Sequence, residues 1–153
     1  MTIETCEADD IIATLVQKYS ATQKIMILSS DKDFAQLQRY PNVEQYSPIL
    51  KKFINEPLPM AQLKQMVIRG DKGDGIPNIL SGDNCIVSGE RQTPITQKKI
   101  DAWLKDAENL QGVMDTETYR NYQRNLQLID LSKTPQEIKD SIINTFEIGR
   151  AHV

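Results

Sequence analysis

The chain has 153 residues, of which 39% are hydrophobic and 25% are charged, the composition of an ordinary globular domain or of part of one. No apolar run is long enough to span a membrane and no signal-peptide pattern opens the sequence, so we expect a cytoplasmic protein without membrane contact. The formal net charge is −3, which by itself disfavours nucleic acid as a partner. If seven clustered acidic residues belong to a metal site, however, the rest of the chain has 14 acidic and 18 basic residues. The remaining surface can then attract phosphates.

The first predicted element is a helix over residues 5–19, because apolar side chains recur there at helical spacing. Three acidic residues stand near its beginning: Glu7, Asp9 and Asp10. The helix dipole favours negative charge at this end, which is one sufficient reason for them. Three carboxylates within four positions also repel one another unless a cation lies among them. Both interpretations, helix stabilisation and a cation site, are open at this point.

A short buried strand is predicted at Ile25–Leu28, where four apolar residues follow one another. Two serines, then Asp31 and Asp33, come after it, and Phe34 and Leu37 mark the start of an amphipathic helix. Open α/β sheets place their chemistry at the carboxyl ends of strands. Carboxylates without neighbouring His or Cys suit Mg²⁺ or Mn²⁺ rather than zinc. The alternative is that Asp31 only caps the helix that follows.

The next elements are two short edge strands or a hairpin over residues 43–54, and a helix over residues 60–68. A glycine-rich loop follows and carries Asp71 and Asp74. Its glycines permit backbone conformations that let the chain approach a ligand closely. The loop is no EF-hand, because Gly82 stands at the twelfth position, where a bidentate glutamate is needed. A plain turn without a ligand is the alternative.

Three helices are predicted in the rest of the chain. The first begins at Thr93 with a proline in the next position, the second covers residues 116–131, and the third begins with the capping box of residues 134–137. We interpret the apolar stripe of the second helix as packing, and its Arg120 and Arg124 as solvated.

The last six residues, 148–153, read IGRAHV and fit nothing before them. They resemble the translation of a common sequencing-library adapter, so we expect a native end near Glu147 and a non-native tail. His152, the single histidine, lies in this tail, and we therefore set it aside as a catalytic candidate. Without it, no Ser–His or Cys–His pairing competes with metal chemistry.

Acidic groups thus stand at three separate strand or loop ends, in residues 7–10, 31–33 and 71–74. We expect them to converge on one cleft. Together they can hold two divalent ions roughly 4 Å apart, the arrangement by which phosphodiester-cleaving sites bind both the attacking water and the leaving oxygen.

Three motifs resemble the 5′ nuclease, or flap endonuclease, superfamily in order and spacing: EADD at 7–10, SSDKDFAQL at 29–37 and GDKGDGIP at 70–77. Residues 117–130 look closest to the ribonuclease H enzymes of T-even phages, 5′-to-3′ exonucleases and flap endonucleases that remove RNA primers. The resemblance covers nearly the whole chain up to about Phe146. It implies an α/β fold, with a truncated parallel sheet of the 5′ nuclease (PIN-like) type followed by a mostly helical, helix–hairpin–helix-like DNA-binding region.

The resemblance also implies functional residues. Asp9, Asp31 and Asp33 would be catalytic, and Mg²⁺ or Mn²⁺ in a two-metal site would be the cofactor. Seven carboxylates would be metal ligands or their supports: Glu7, Asp9, Asp10, Asp31, Asp33, Asp71 and Asp74. In this family a helix–hairpin–helix-like element holds duplex phosphates through backbone amides, and residues 75–79 match its first turn. The implied phosphate-binding residues are Lys72, Gly73, Gly75, Ile76, Lys98 and Lys99.

The resemblance predicts a nuclease α/β segment at 1–69 and a helical DNA-binding segment at 70–147. Family members begin with further Asp-bearing strands and a basic helical arch, which do not precede Thr5 in this sequence. We therefore expect the carboxyl-terminal portion of a nuclease, inactive by itself. It would be either a fragment of a gene or one product of a split gene, and in the second case a complementing amino-terminal chain would be its partner. The expected partners are DNA and RNA/DNA duplexes with 5′ ends or flaps, and replication proteins such as a single-strand-binding protein or a clamp.

Two alternatives belong to other classes. A strand followed by DKD, with a later acidic loop, is also typical of haloacid-dehalogenase-type phosphatases, in which the first aspartate is a nucleophile. Ala35 stands where that family has Thr or Val, and the acidic cluster at residues 7–10 has no role there. A non-catalytic nucleic-acid-binding module is the second alternative. Metal-dependent cleavage of a flapped duplex, tested against hydrolysis of a small phosphate ester, distinguishes the three.

Overall fold

The structure is a computed structural model that describes residues 6–151. Its elements follow one another as α1 (Ala8–Tyr19), β1 (Ile25–Leu28), a 3-10 helix (Lys32–Arg39), β2 (Val43–Ser47), β3 (Lys52–Ile54), α2 (Pro59–Arg69), α3 (Gln97–Lys105), a 3-10 turn (Ala107–Asn109), α4 (Leu110–Val113), α5 (Thr116–Ile129), a 3-10 turn (Leu131–Lys133) and α6 (Gln136–Ala151). The predicted α/β class with a helical second part is confirmed. Within the described range, no helix is both long and apolar enough to cross a bilayer.

The chain forms two compact units. The first comprises the residues up to Pro59 together with those from Leu131 on, and the second comprises Met60–Asp130. These units divide the chain differently from the predicted segments 1–69 and 70–147. The reason is packing: α2 buries Leu63 and Val67 in the core of the second unit, whereas α6 returns to pack on α1 in the first.

The sheet of the first unit has the order β1-β2-β3. The strands β1 and β2 are parallel, with Ile25 opposite Val43, and β2 and β3 are antiparallel, with Gln45 opposite Ile54. The sheet is therefore mixed rather than purely parallel. Residues 48–51 are too few for the crossover that parallel neighbours require, so they close the predicted hairpin instead.

One face of β1 is buried and the other is not. Ile27 packs in a core with Ala13 and Val16 of α1, and with Phe34 and Leu37 of the 3-10 helix. On the opposite face, the side chains of β1 remain 48% and 67% exposed, at Met26 and Leu28. Among the described residues, β1 lies at the edge of the sheet, and its exposed apolar face would suit further chain packed against it.

The termini of the chain differ from the predicted elements. The helix predicted from residue 5 begins at Ala8, and Thr5 lies outside the described residues. The predicted tail is helical as far as Ala151, and Arg150 lies 5.7 Å from the ring centroid of Phe146. His152 falls beyond the described range. Thr134, the first residue of the predicted capping box, donates its hydroxyl to Asp10 Oδ1 over 2.9 Å, and α6 itself begins at Gln136.

The second unit is helical around an apolar core to which α2, α3 and α5 contribute Val67, Ile100, Trp103 and Tyr122. This confirms the core role of the apolar stripe of α5. The helix predicted to begin at Thr93 begins instead at Gln97, because the Thr96 hydroxyl accepts the Lys99 N–H and caps it there.

Candidate metal centre and nucleic-acid interface

The loop that follows β1 is held by a buried side chain from the neighbouring strand. Gln45 of β2 is 1% exposed and its Nε2 donates to the carbonyl oxygens of Ser29 and Asp31, both over 2.9 Å. The backbone N–H of Asp31 also donates to the Ser29 hydroxyl over 3.1 Å. The backbone at Asp31 is therefore fixed at the carboxyl end of the strand, where chemistry is expected in an α/β fold.

Asp31 caps the 3-10 helix and remains exposed. Its Oδ1 accepts the backbone N–H of Asp33 over 2.9 Å, as the capping alternative predicts. The predicted amphipathic helix is a 3-10 helix rather than an α-helix over Lys32–Arg39. Capping does not exclude a metal role, because a carboxylate has two oxygens and several acceptor positions.

Asp9 joins these two residues in the first unit. One ligand oxygen from each of Asp9, Asp31 and Asp33 lies within 4.8 Å of the others. The predicted proximity of Asp9 to the end of β1 arises because α1 packs on the core that β1 and the 3-10 helix share. Three carboxylate oxygens without nitrogen or sulfur donors match the preference of Mg²⁺ and Mn²⁺. The residues present therefore fit a divalent cation.

The two other acidic residues of the first motif are arranged differently. Asp10 Oδ2 accepts the backbone N–H of Glu7 over 3.1 Å, and its other oxygen accepts the Thr134 hydroxyl. Among the described residues, neither Glu7 nor Asp10 belongs to the close group of Asp9, Asp31 and Asp33. Their predicted metal role stays a prediction, and Asp10 has a clear structural role at the start of α1.

The glycine-rich loop of the second unit is a tight, closed turn. The backbone N–H groups of Asp71 and Ile76 each donate to the carbonyl oxygen of the other residue over 2.8 Å. Within the turn, the Asp74 N–H donates to Asp71 Oδ1 over 3.3 Å. The turn thus holds Asp71 and Asp74 on a defined backbone, and their predicted contribution to the metal site stays a prediction.

The predicted phosphate-binding residues fall into two groups. Lys72, Gly73, Gly75 and Ile76 belong to the closed turn, and Lys72 is exposed. Lys98 and Lys99 lie exposed in the first turn of α3. Lys99 Nζ is 5.4 Å from the centroid of the Trp103 ring. The lysines can supply cations to a phosphate, whereas the N–H groups of Gly75 and Ile76 already donate to carbonyl oxygens within the turn. The phosphate-binding role of these residues stays a prediction.

Comparison with known proteins decides the family. The family model for the carboxyl-terminal part of T4 RNase H matches residues 59–152, which is more than half of the chain. A second model, the resolvase-like amino-terminal domain of 5′–3′ exonucleases, matches residues 1–66. The chain belongs to the 5′–3′ exonuclease family of T4 RNase H. This assignment removes the haloacid-dehalogenase alternative.

Individual relatives agree with the family. Ribonuclease H of Enterobacteria phage T4 is 36% identical over 152 residues, which cover 95% of this chain and 50% of that protein. Flap endonuclease Xni of Shewanella sp. strain MR-4 is 35% identical over 86 residues, 48% of this chain and 31% of that protein. The chain thus spans about half the length of T4 ribonuclease H.

Solved structures show the same fold at low identity. T5 5′-exonuclease matches with a TM-score of 0.61 and 20% identity, over 95% of this chain and 66% of that one. A second T5 structure, co-crystallised with metal ions, matches with a TM-score of 0.62 and 19% identity, over 95% and 60%.

The 5′–3′ exonuclease fold of this chain contains a buried polar network that no pattern in the sequence indicates. The Arg124 side chain of α5 is only 15% exposed, so the prediction that it is solvated is wrong. It donates to the carbonyl oxygens of Pro77, Asn78 and Ser81, each over 3.2 Å. The fully buried Asn125 donates to the carbonyl oxygen of Pro77 over 2.8 Å. This network fixes the segment that follows the acidic turn.

Gly70 is required at the entrance of that turn. It has φ of +70°, and a Cβ there would lie 2.5 Å from the carbonyl oxygen of Ile76 and 2.6 Å from that of Pro77. We expect Gly70→Ala to lower the free energy of unfolding by about 3 kcal/mol, since it combines a left-handed backbone with overpacking. Urea denaturation measures this change. Gly82→Ala is the control, because its Cβ would meet nothing within 4 Å, and equal effects of the two substitutions would contradict the prediction.

Proposed function

We propose that this protein is a divalent-metal-dependent 5′ nuclease that removes RNA primers or 5′ flaps from DNA during replication in the cytoplasm. Its substrates would be DNA and RNA/DNA duplexes with 5′ ends or flaps, and its partners replication proteins such as a single-strand-binding protein or a clamp. The observation that carries the proposal is the close group of Asp9, Asp31 and Asp33 at the end of β1. Membership of a nuclease family supports it.

In this proposal Asp9, Asp31 and Asp33 hold Mg²⁺ or Mn²⁺, and Glu7, Asp10, Asp71 and Asp74 complete or support a two-metal site. Bound divalent ions would supply an activated water and charge stabilisation at the leaving oxygen. The protein itself contributes by orienting the carboxylates. Gln45 and the Asp33 N–H hold Asp31 in place, so that its other oxygen can turn to a cation without rearrangement of the backbone.

We further propose that the 153-residue polypeptide by itself cleaves nucleic acid poorly. T4 ribonuclease H is about twice as long as the aligned region, and the family resemblance implies two further aspartates and a basic arch in such enzymes. A cation held mainly by three carboxylates, one of them exposed, keeps a large part of its water shell and binds weakly. A complementing amino-terminal segment would then supply the further metal ligands.

A direct test of the metal site is Mn²⁺ binding, followed by the relaxation of water protons. We expect the polypeptide to bind Mn²⁺ weakly and Asp31→Asn to weaken this binding about tenfold or more, because one charged ligand is lost. Asparagine keeps an oxygen that can accept the Asp33 N–H, so the cap at the start of the 3-10 helix survives.

The matched control is Glu137→Gln, which removes one negative charge from the exposed first turn of α6. A general loss of charge would affect both variants equally, and that result would contradict a metal site at the end of β1. Unchanged melting temperatures in chelator show that both variants are folded.

A further inference from the structure

The segment of residues 131–134 contacts both elements that carry the close group of carboxylates. Asp9 comes from the first turn of α1, whereas Asp31 and Asp33 stand at the start of the 3-10 helix. These carboxylates repel one another when no cation lies among them. Their spacing therefore depends on contacts that hold the two elements in place.

The first contact joins this segment to the 3-10 helix. Gln36 of that helix is fully buried, and its Oε1 accepts the backbone N–H of Leu131 over 2.9 Å. Leu131 also packs against the core of the first unit, which contains Phe34 and Leu37 of the same helix. A buried hydrogen bond and apolar packing thus fix the beginning of the segment on the 3-10 helix.

The second contact joins the end of the segment to the first turn of α1. The Thr134 hydroxyl donates to Asp10 Oδ1 over 2.9 Å and lies 3.2 Å from the Leu131 carbonyl oxygen. The shorter contact has a charged acceptor, which makes it the stronger of the two. The other oxygen of Asp10 accepts the backbone N–H of Glu7 over 3.1 Å. Asp10 therefore connects the start of α1 to Thr134.

The third contact holds the middle of the segment. Lys139 of α6 donates from Nζ to the carbonyl oxygen of Ser132 over 2.9 Å and to Gln17 Oε1 of α1 over 3.1 Å. Its ammonium group thus connects the segment to the later part of α1. Because the segment is held at three points, Thr134 is kept beside the first turn of α1.

This first turn is the part of α1 that gains most from an outside contact. The first N–H groups of an α-helix lack intrahelical partners, and helix ends fray. Glu7 and Asp10 form a capping box that satisfies some of these groups, and Thr134 ties the same box to the rest of the unit. Asp9 lies inside the box and moves with it.

We propose that Thr134 is a positioning residue of the candidate metal centre, which acts through Asp10 to hold Asp9 beside Asp31 and Asp33. The inference rests on the proposed function, because it concerns the same metal centre. Without the Thr134 hydroxyl, repulsion among the carboxylates favours fraying of the first turn of α1. A cation must then order this turn before it can use Asp9, and its Kd rises.

The test is Mn²⁺ binding to the 153-residue polypeptide, followed by the relaxation of water protons. We expect Thr134→Val to raise Kd about threefold to fivefold, because the turn must be ordered on binding. Thr134→Ser is expected to stay within about twofold of the wild type, since serine keeps the hydroxyl. Valine fits the backbone at this position, because Pro135 follows and a residue before proline is extended.

Two control variants separate positioning from general effects. Thr14→Val also removes a hydroxyl from the first unit, in α1, where Thr14 is 2% exposed and its hydroxyl has no hydrogen-bond partner among the described residues. Ile142→Val removes a fully buried methylene from α6 and is expected to lower the melting temperature by about 3 °C. We expect both controls to bind Mn²⁺ as the wild type does.

A double-mutant cycle tests the route through Asp10. Asp10→Ala removes the acceptor of the Thr134 hydroxyl, so Thr134→Val is expected to change Kd by less than about 1.5-fold when Asp10→Ala is already present. Broadening of amide resonances by bound Mn²⁺ gives a second readout. We expect Thr134→Val to reduce the broadening at Asp9 more than at Asp31.

Three outcomes overturn the inference. An unchanged Kd in Thr134→Val, while Asp31→Asn weakens Mn²⁺ binding, removes the role of Thr134 and leaves the proposed function standing. An equal rise of Kd in Ile142→Val shows only a general loss of stability. Full additivity with Asp10→Ala shows that Thr134 does not act through Asp10. Absence of Mn²⁺ binding in the wild type overturns the proposed function and, with it, this inference.

Discussion

Arg124→Leu is expected to lower the free energy of unfolding by about 3 kcal/mol, as large an effect on stability as we expect from Gly70→Ala. The guanidinium is largely buried and donates to three backbone carbonyl oxygens of the segment after the acidic turn. Leucine fills part of the volume but leaves those carbonyl oxygens with fewer donors in a place that water does not reach. Urea denaturation followed by circular dichroism measures the loss.

Two matched variants separate the hydrogen bonds from the ion pair. Arg124→Lys keeps the charge beside Asp83 but cannot reproduce the fork of donors, so we expect it to recover little. Arg120→Leu removes the other partner of Asp83, and we expect a small effect because the Arg120 side chain is 59% exposed and its ion pair is screened by water. Full recovery by lysine would show that the charge, and not the carbonyl contacts, matters.

The same network predicts sensitivity to acid. Hydrogen bonds from Arg120 and then from Arg124 hold the pKa of the Asp83 carboxyl well below its usual value near 3.8. The stability that this carboxylate contributes is present above pH 4 and is lost progressively as the pH falls towards the lowered pKa. As the pH is lowered below 4, we expect the urea midpoint of Asp83→Asn to decline less than the urea midpoint of the wild type. Parallel declines would contradict this role of Asp83.

The second large effect concerns cleavage. We expect Asp33→Asn to reduce divalent-dependent 5′ cleavage about 10³-fold in a chimera that joins these 153 residues to the part of T4 ribonuclease H that the alignment does not cover. Loss of one metal ligand removes several kcal/mol of charge stabilisation at the reacting phosphate, and about 1.4 kcal/mol corresponds to each factor of ten. Release of labelled 5′ product from a flapped duplex in Mg²⁺ measures the rate.

Controls make this result specific. The Glu137→Gln chimera is expected to keep its rate. Mn²⁺ is expected to rescue Asp33→Asn poorly, because the asparagine amide lacks the negative charge of the carboxylate that it replaces. The 153-residue polypeptide alone is expected to release little product. Vigorous cleavage by that polypeptide, abolished by Asp31→Asn, would show that the further aspartates implied by the family resemblance are dispensable.

Local sequence patterns were sufficient for most of the longer elements and for the motifs. A helix rich in apolar residues, a strand of four apolar residues and an acidic pair after it can each be recognised within one short window, because helical and strand periodicity are local properties. Asp31 and Asp33 follow β1 as predicted, and the family to which the motifs point is confirmed by the comparisons. The choice between cap and metal ligand at Asp31 could not be made locally, because one carboxylate can serve both.

The tertiary structure decided what depends on contacts between distant residues. It selected Asp9 from the first acidic motif to join Asp31 and Asp33, and it brought Thr134 to Asp10 across 124 positions. It also buried Arg124, whose partners lie more than 40 residues away along the chain. Periodicity in the sequence does not indicate such contacts. An arginine on a helix is expected to be solvated unless the carbonyl oxygens to which it donates are known, and these lie far away along the chain.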